Sequence, residues 1–282
     1  MGIRMREGAV GSGVQLRDQS DPLTSHQLLG VSHLVLSVRE PLVPGPILEA
    51  LGYGEDAANE SCPNPAAKTP FLSGPLHDTC AMRLMVPANG SPAIEVLRSS
   101  KASATQPHFE GVLSEQPGAS AEEVRDALAA NHEAVLPGLV CPAGAEGKRG
   151  IGALLIHVDS LEGALPLWRA LGYPEQDFDS RAQKVAVRGL RASNRLDLYF
   201  VDDRKRAERG HLDATGIVCL SLFCKNADQL QTALSDRGYE VGKCFTLAPF
   251  GTALRIFFMR NTTGEIYEFL SIANSRNSEG GS

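Results

Sequence analysis

VSHLVLSV, residues 31–38, decides how this chain is read. Its residues alternate with the two-residue period of a strand. Leu34, Leu36 and Val38 fall on one face, and His33, Val35 and Ser37 on the other. The first face belongs in a core. The histidine on the second face has two readings: a core residue with a hydrogen-bond partner, or a metal ligand pointing into a cavity. After the strand come a short polar turn, an amphipathic stretch and a Gly-Tyr pair at residues 52–53.

The same sentence is written again further along. IGALLIHVDSLEGALPLWRALGYPE begins at Ile151, and IVCLSLFCKNADQLQTALSDRGYEV begins at Ile217. Gly52, Gly172 and Gly238 stand at one common offset from His33, Ala153 and Cys219. Each glycine suits the position just past a helix end, where positive φ is required. Short runs of strand composition follow every helix, among them TCAMRLMVP and AIEVLRS, QKVAVRGL and RLDLYFVD, and TALRIFFMR and EIYEFLSI. The repeating unit is therefore a strand, a helix and two or three further strands. A fourth, truncated copy starts near His108. Its helix SAEEVRDALAANH carries a capping-box pattern at Ser120 and Glu123, and its later strands are missing.

Bulk properties narrow the field. The 282 residues suffice for two domains. With 43% apolar and 21% charged residues the composition is that of a soluble globular protein, and a net charge of −6 implies no broad basic face for nucleic acid. No stretch approaches the roughly 20 apolar residues of a membrane span, and no secretory signal pattern opens the chain. Six cysteines (Cys62, Cys80, Cys141, Cys219, Cys224 and Cys244) include no C-x-x-C pair, which suits reduced thiols in a cytoplasm. Residues 1–28 and 274–282 read as a flexible arm and tail. No phosphate loop, dinucleotide fingerprint or G-x-S-x-G turn is present.

The βαβββ unit, with its strand starts such as VSHLVLSV and strand ends AIEVLRS and GEIYEFLSI, resembles the vicinal oxygen chelate superfamily. That group includes glyoxalase I, bleomycin-resistance proteins and extradiol dioxygenases. The resemblance covers most of residues 29–273. It implies an α+β fold of βαβββ modules paired into two half-open barrels, with N-terminal domain 29–142 and C-terminal domain 150–273. It also implies that metal ligands come from the first and last strand of each module. These positions are His33 and Glu95 in module 1, His108 in module 2, Ala153 and Asp197 in module 3, and Cys219 and Glu268 in module 4.

The expected metal set is then His33, Glu95 and His108, binding a divalent transition metal such as Fe, Mn, Ni, Co or Zn. Glu95 has Ile94 and Val96 beside it and Glu268 has Tyr267 and Phe269, so each carboxylate needs a cation or hydrogen bonds; Arg83 or Arg98 is the rival partner for Glu95, and Arg255 for Glu268. Glu268 and His157 are the candidate acid–base residues. Ala153 and Cys219 depart from the family's ligand pattern. Trp168 reads as core. The resulting expectation is a metal-dependent enzyme acting on a small oxygen-bearing molecule, with lyase or isomerase chemistry ahead of Fe(II) dioxygenation. A metal-free binder or drug-sequestering resistance protein is the alternative. The partner is a small molecule, not nucleic acid or membrane, and a homodimer is compatible with the chain.

Overall fold

The computed structural model describes residues 23, 28–39, 42–99, 108–116, 118–129, 132–142, 147–190, 195–204 and 209–273. The expected arm and tail lie outside these residues, apart from Leu23 and Leu28, both of which are buried. Leu28 already belongs to the first strand.

Four modules follow one another. Module 1 comprises β1 (Leu28–Arg39), α1 (Gly45–Ala50), β2 (Tyr53–Pro63), a 3-10 turn (Ala66–Phe71), β3 (Thr79–Pro87) and β4 (Ala93–Ser99). Module 2 is β5 (Phe109–Ser114), α2 (Ala121–Leu128) and a short hairpin of β6 (His132–Leu136) and β7 (Leu139–Pro142). Module 3 is β8 (Gly150–Val158), α3 (Leu161–Ala170), β9 (Glu175–Asp179), β10 (Ala182–Arg188) and β11 (Arg195–Asp202). Module 4 is β12 (Gly216–Cys224), α4 (Ala227–Ser235), β13 (Glu240–Val241), β14 (Phe245–Leu247), β15 (Leu254–Arg260) and β16 (Ile266–Ile272).

Local chemistry explains the helix ends. Gly52, Gly172 and Gly238 have φ of +93°, +87° and +85°, so each helix of the three full repeats stops at a left-handed residue. The Ser120 side chain accepts from the Glu123 amide while the Glu123 carboxylate accepts from the Ser120 amide, closing the expected capping box on α2. Ser160 and Asn226 cap α3 and α4 in the same single-sided way.

The sixteen strands of the described residues form one mixed, open sheet. Its middle is built from the first strands of the modules, in the order β1-β12-β5-β8. β1 pairs antiparallel with β12, and β5 pairs antiparallel with β8. β12 and β5 touch at a single pair, Ile217 with Phe109. Module 1 is therefore the partner of module 4, and module 2 the partner of module 3. The division expected from chain order, 29–142 and 150–273, differs from this pairing. Strand partners across a sheet are set by matching of distant faces, and chain order does not encode them.

The alternation in residues 31–38 holds. Leu34, Leu36 and Val38 enter the main core with Trp168, Tyr267 and Phe200. Val35 faces the other way, among Cys219, Phe258 and Leu270. Trp168 is fully buried and stacks edge-on against Tyr267. No helix among the described residues is long and apolar enough to cross a membrane.

Candidate metal centre

Two parallel strand pairs build the site. β4 lies beside β1 with Glu95 opposite Val35, and β16 lies beside β12 with Glu268 opposite Ser221. The β1–β12 register then sets Val35 against Cys219 and His33 against Ser221. His33, Glu95, Cys219 and Glu268 thus occupy matching places in modules 1 and 4, on the face away from the main core.

His33 is the hub. Its Nε2 lies 3.4 Å from Glu268 Oε2 and 3.5 Å from Glu95 Oε2. That nitrogen is buried, and beyond these two long carboxylate contacts it has no partner. The other ring nitrogen, Nδ1, is 3.0 Å from the Ser32 hydroxyl, which fixes the ring's orientation. Ser221 donates from its hydroxyl to Glu268 Oε2 at 2.6 Å.

Burial is the largest influence on the electrostatics of the site. Burial pushes the Glu95 carboxyl up, and nearby Glu268 adds to that against the pull of His33. Burial also pushes the Cys219 thiol well up, helped by Glu268 and Glu95. Burial would lower the His33 imidazole, but Glu268 and Glu95 outweigh it and the net shift is upward. Glu268 moves down overall: burial raises it, and His33 and Ser221 outweigh the burial. Every one of these groups except His33 gains from an added positive charge.

A divalent metal fits part of this arrangement. Ligand atoms about 2.1 Å from an ion at tetrahedral angles stand roughly 3.4 Å from one another. Both nitrogen–oxygen separations at His33 match that edge. Among the described residues no three His, Cys, Asp or Glu side chains form a complete coordination group, so the carboxylates would have to turn toward a common point.

Two of the rivals named for these carboxylates, Arg83 and Arg255, are engaged elsewhere. Arg83 pairs with Glu55 and Glu60, and Arg255 with Asp228. His108 does not join His33 and Glu95. β12 runs between β1 and β5, and His108 Nδ1 is 2.8 Å from the His157 carbonyl oxygen in the other half. The register shows why: Leu155 faces Glu110 as Val35 faces Cys219, so Glu110 is the module 2 counterpart of Cys219. His157 also sits apart from His33, 3.3 Å from Glu110 and 3.4 Å from Asp203. Asp197 forms a 2.7 Å ion pair with Lys184, and Ala153 is fully buried.

Lys68 is the residue the sequence did not reveal. It sits in the 3-10 turn, is buried, and lies 5.8 Å from the Phe258 ring centre. Its ammonium acts on Glu95 and Glu268, and it lines a cavity of about 520 Å³ together with Ser37, Cys80, Leu97 and Arg98. A lone lysine in a turn carries no sequence signal. Ser221 did carry one, as a polar residue inside an apolar strand, just as His33 is.

No family model and no curated protein matches the sequence. Solved structures do. A protein described as a dioxygenase from Bacillus subtilis superposes with a TM-score of 0.50 at 12% identity, covering 88% of this chain and 86% of its own. A glyoxalase I mutant from Zea mays superposes with a TM-score of 0.51 at 11% identity, covering 86% of this chain and 92% of its own. At this identity the likeness is one of fold: the chain shares the overall fold of these dioxygenase-described and glyoxalase I structures.

Proposed function

We propose that the protein is a metal-dependent enzyme in which His33, Glu95 and Glu268 hold one divalent transition metal, with Cys219 beside them. The observation that carries this is His33 Nε2, buried and facing only two carboxylates, each at tetrahedral-edge distance. The metal, when bound, supplies a Lewis acid that polarises two adjacent oxygens of a small organic substrate. Ser32 keeps the His33 ring in place, and Ser221 keeps Glu268 in place. Lys68 brings positive charge to the cavity wall, where it favours an anionic substrate oxygen. Glu268, held below its ordinary value by His33 and Ser221, would take a proton from a substrate carbon and return it to the product.

One histidine with two carboxylates is a harder donor set than the two-histidine, one-carboxylate triad of non-haem iron oxygenases. This supports lyase or isomerase chemistry over dioxygenation. The metal-free alternative rests on a specific observation: an imidazolium at His33, held between Glu95 and Glu268, would neutralise the site without an ion. The protein would then be a small-molecule binder. Metal analysis by mass spectrometry on untagged protein, re-metallated anaerobically, decides. About one ion per chain, lost in His33→Ala and Glu95→Gln, is expected; no ion in the wild type favours the binder.

A further inference from the structure

β2 and β3 are joined by residues 64–78, and two cysteines stand near the base of this connection. Cys62 and Cys80 are direct partners in the antiparallel register, one step inside the last pair, Pro63 with Thr79. Opposed residues in such a ladder have Cα atoms about 4.5–5.5 Å apart, within the roughly 4.4–6.8 Å a disulfide spans. The Cys62 thiol donates to the Pro63 carbonyl at 3.7 Å, and both thiols are free. Among the described strand pairs no other cysteine faces a cysteine: Cys224 faces Leu28, Cys219 faces Val35 and Cys141 faces Glu133.

The two partners differ in access. Cys62 is fully buried, whereas Cys80 is partly exposed and lines the cavity. The chain between them supplies much of the cavity wall, including Asn64, Lys68, Leu72, His77 and Asp78. A bond at the base of this loop would tie off that wall.

We propose that Cys62 and Cys80 form a reversible disulfide that closes the loop of residues 63–79 and fixes the cavity wall. The oxidant is a small-molecule disulfide of the glutathione type. The Cys80 thiolate attacks one of its sulfurs and expels one small thiolate. Cys62, its proton passed to solvent, then attacks the Cys80 sulfur and expels the second. Two small thiols are released, and the protein gives up two protons and two electrons to the reagent. Exposure sets the order, because the reagent reaches Cys80 and not Cys62. The closed ring removes conformations from the loop without adding a new contact.

The test uses the full chain incubated with oxidised glutathione, quenched in acid, alkylated and digested with trypsin without reductant. Cleavage after Arg39, Lys68 and Arg83 places Cys62 in peptide 40–68 and Cys80 in peptide 69–83. The expected result is a linked 40–68/69–83 species that disperses with dithiothreitol and is absent in Cys80→Ser. Amide exchange across 63–79 should slow in the oxidised protein. Separate alkylation of both cysteines, a stable glutathione adduct on Cys80 alone, or a link that leaves loop exchange unchanged would overturn the proposal. The experiment reads neither metal nor turnover, so its failure is distinct from a failure of the metal reading.

Discussion

His33 and Glu268 come from the first and last long strands of the fold and meet at 3.4 Å in a buried, largely apolar setting. Their contact exists only because β1 and β12 are neighbours in the sheet, with β16 alongside β12. The pair has a pH signature in metal-free protein. His33 lies above its ordinary 6.5, so its contribution to stability is complete below 6.5 and is lost as the pH rises through its folded value. Glu268 lies below its ordinary 4.5, so its contribution is present above 4.5 and is lost as the pH falls through its folded value. The stabilisation from this pair should therefore be greatest between 4.5 and 6.5. Guanidinium unfolding of wild type and Glu268→Gln across that range and beyond it checks this. A midpoint difference that ignores pH would rule out the ion pair. The histidine NMR titration of His33 should also move to lower pH in Glu268→Gln.

Much of this was legible beforehand, and the limits have physical causes. The period of residues 31–38, the three helix-ending glycines and the Ser120 cap are local features, and each stands as read. His33 and Glu95 stand on neighbouring strands of a single module, the two strands that the resemblance implied would carry them. Glu268 was legible as a buried carboxylate, while its partner was not, because strand pairing joins module 1 to module 4 across most of the chain. His108 failed to join for the same reason, compounded by a register that puts Glu110 where His108 was expected. Lys68 arrives from an irregular turn whose path depends on the cavity beneath it.

Lys68 places a second testable constraint on the site. Its ammonium offsets the charge of Glu95 and Glu268, so it also opposes a divalent cation held there. Lys68→Met should tighten metal binding by roughly two- to fivefold, the size of a partly screened charge interaction. Competition against a chromogenic chelator measures it. Weaker metal binding in this variant would mean that Lys68 supports the geometry of the site more than it opposes the ion.

Gly30 marks where β1 must pass the backbone of a neighbour. Its φ is +147°, and a Cβ there would come within 2.5 Å of the Arg188 carbonyl oxygen. The same approach lets the Leu190 amide donate to the Val31 carbonyl. Gly30→Ala should cost about 1–3 kcal/mol, from backbone strain and displacement of the 188–190 segment. Gly54→Ala, in β2 with no atom within 4 Å of its added Cβ, should be close to neutral. Chemical denaturation followed by circular dichroism compares the two. Equal stabilities would show that β1 can shift without loss.

Trp168 and Tyr267 join module 3 to module 4 through the main core. The indole Nε1 donates to the Tyr267 hydroxyl at 3.4 Å, and the rings meet edge to face at 5.5 Å. The same hydroxyl donates to Glu265 Oε1 at 3.3 Å, so it is a relay between a buried indole and a buried carboxylate. Tyr267→Phe keeps the ring contact and removes only this oxygen. It leaves the indole N–H without that acceptor and Glu265 short of one donor, although Asn261 still donates to the same carboxylate. The expected loss is about 1–2 kcal/mol, between that of an ordinary hydrogen bond and that of an unsatisfied buried group. Because Trp168 is the single tryptophan, its fluorescence reports unfolding directly. An unchanged midpoint in urea would assign the junction between the two halves to ring packing alone.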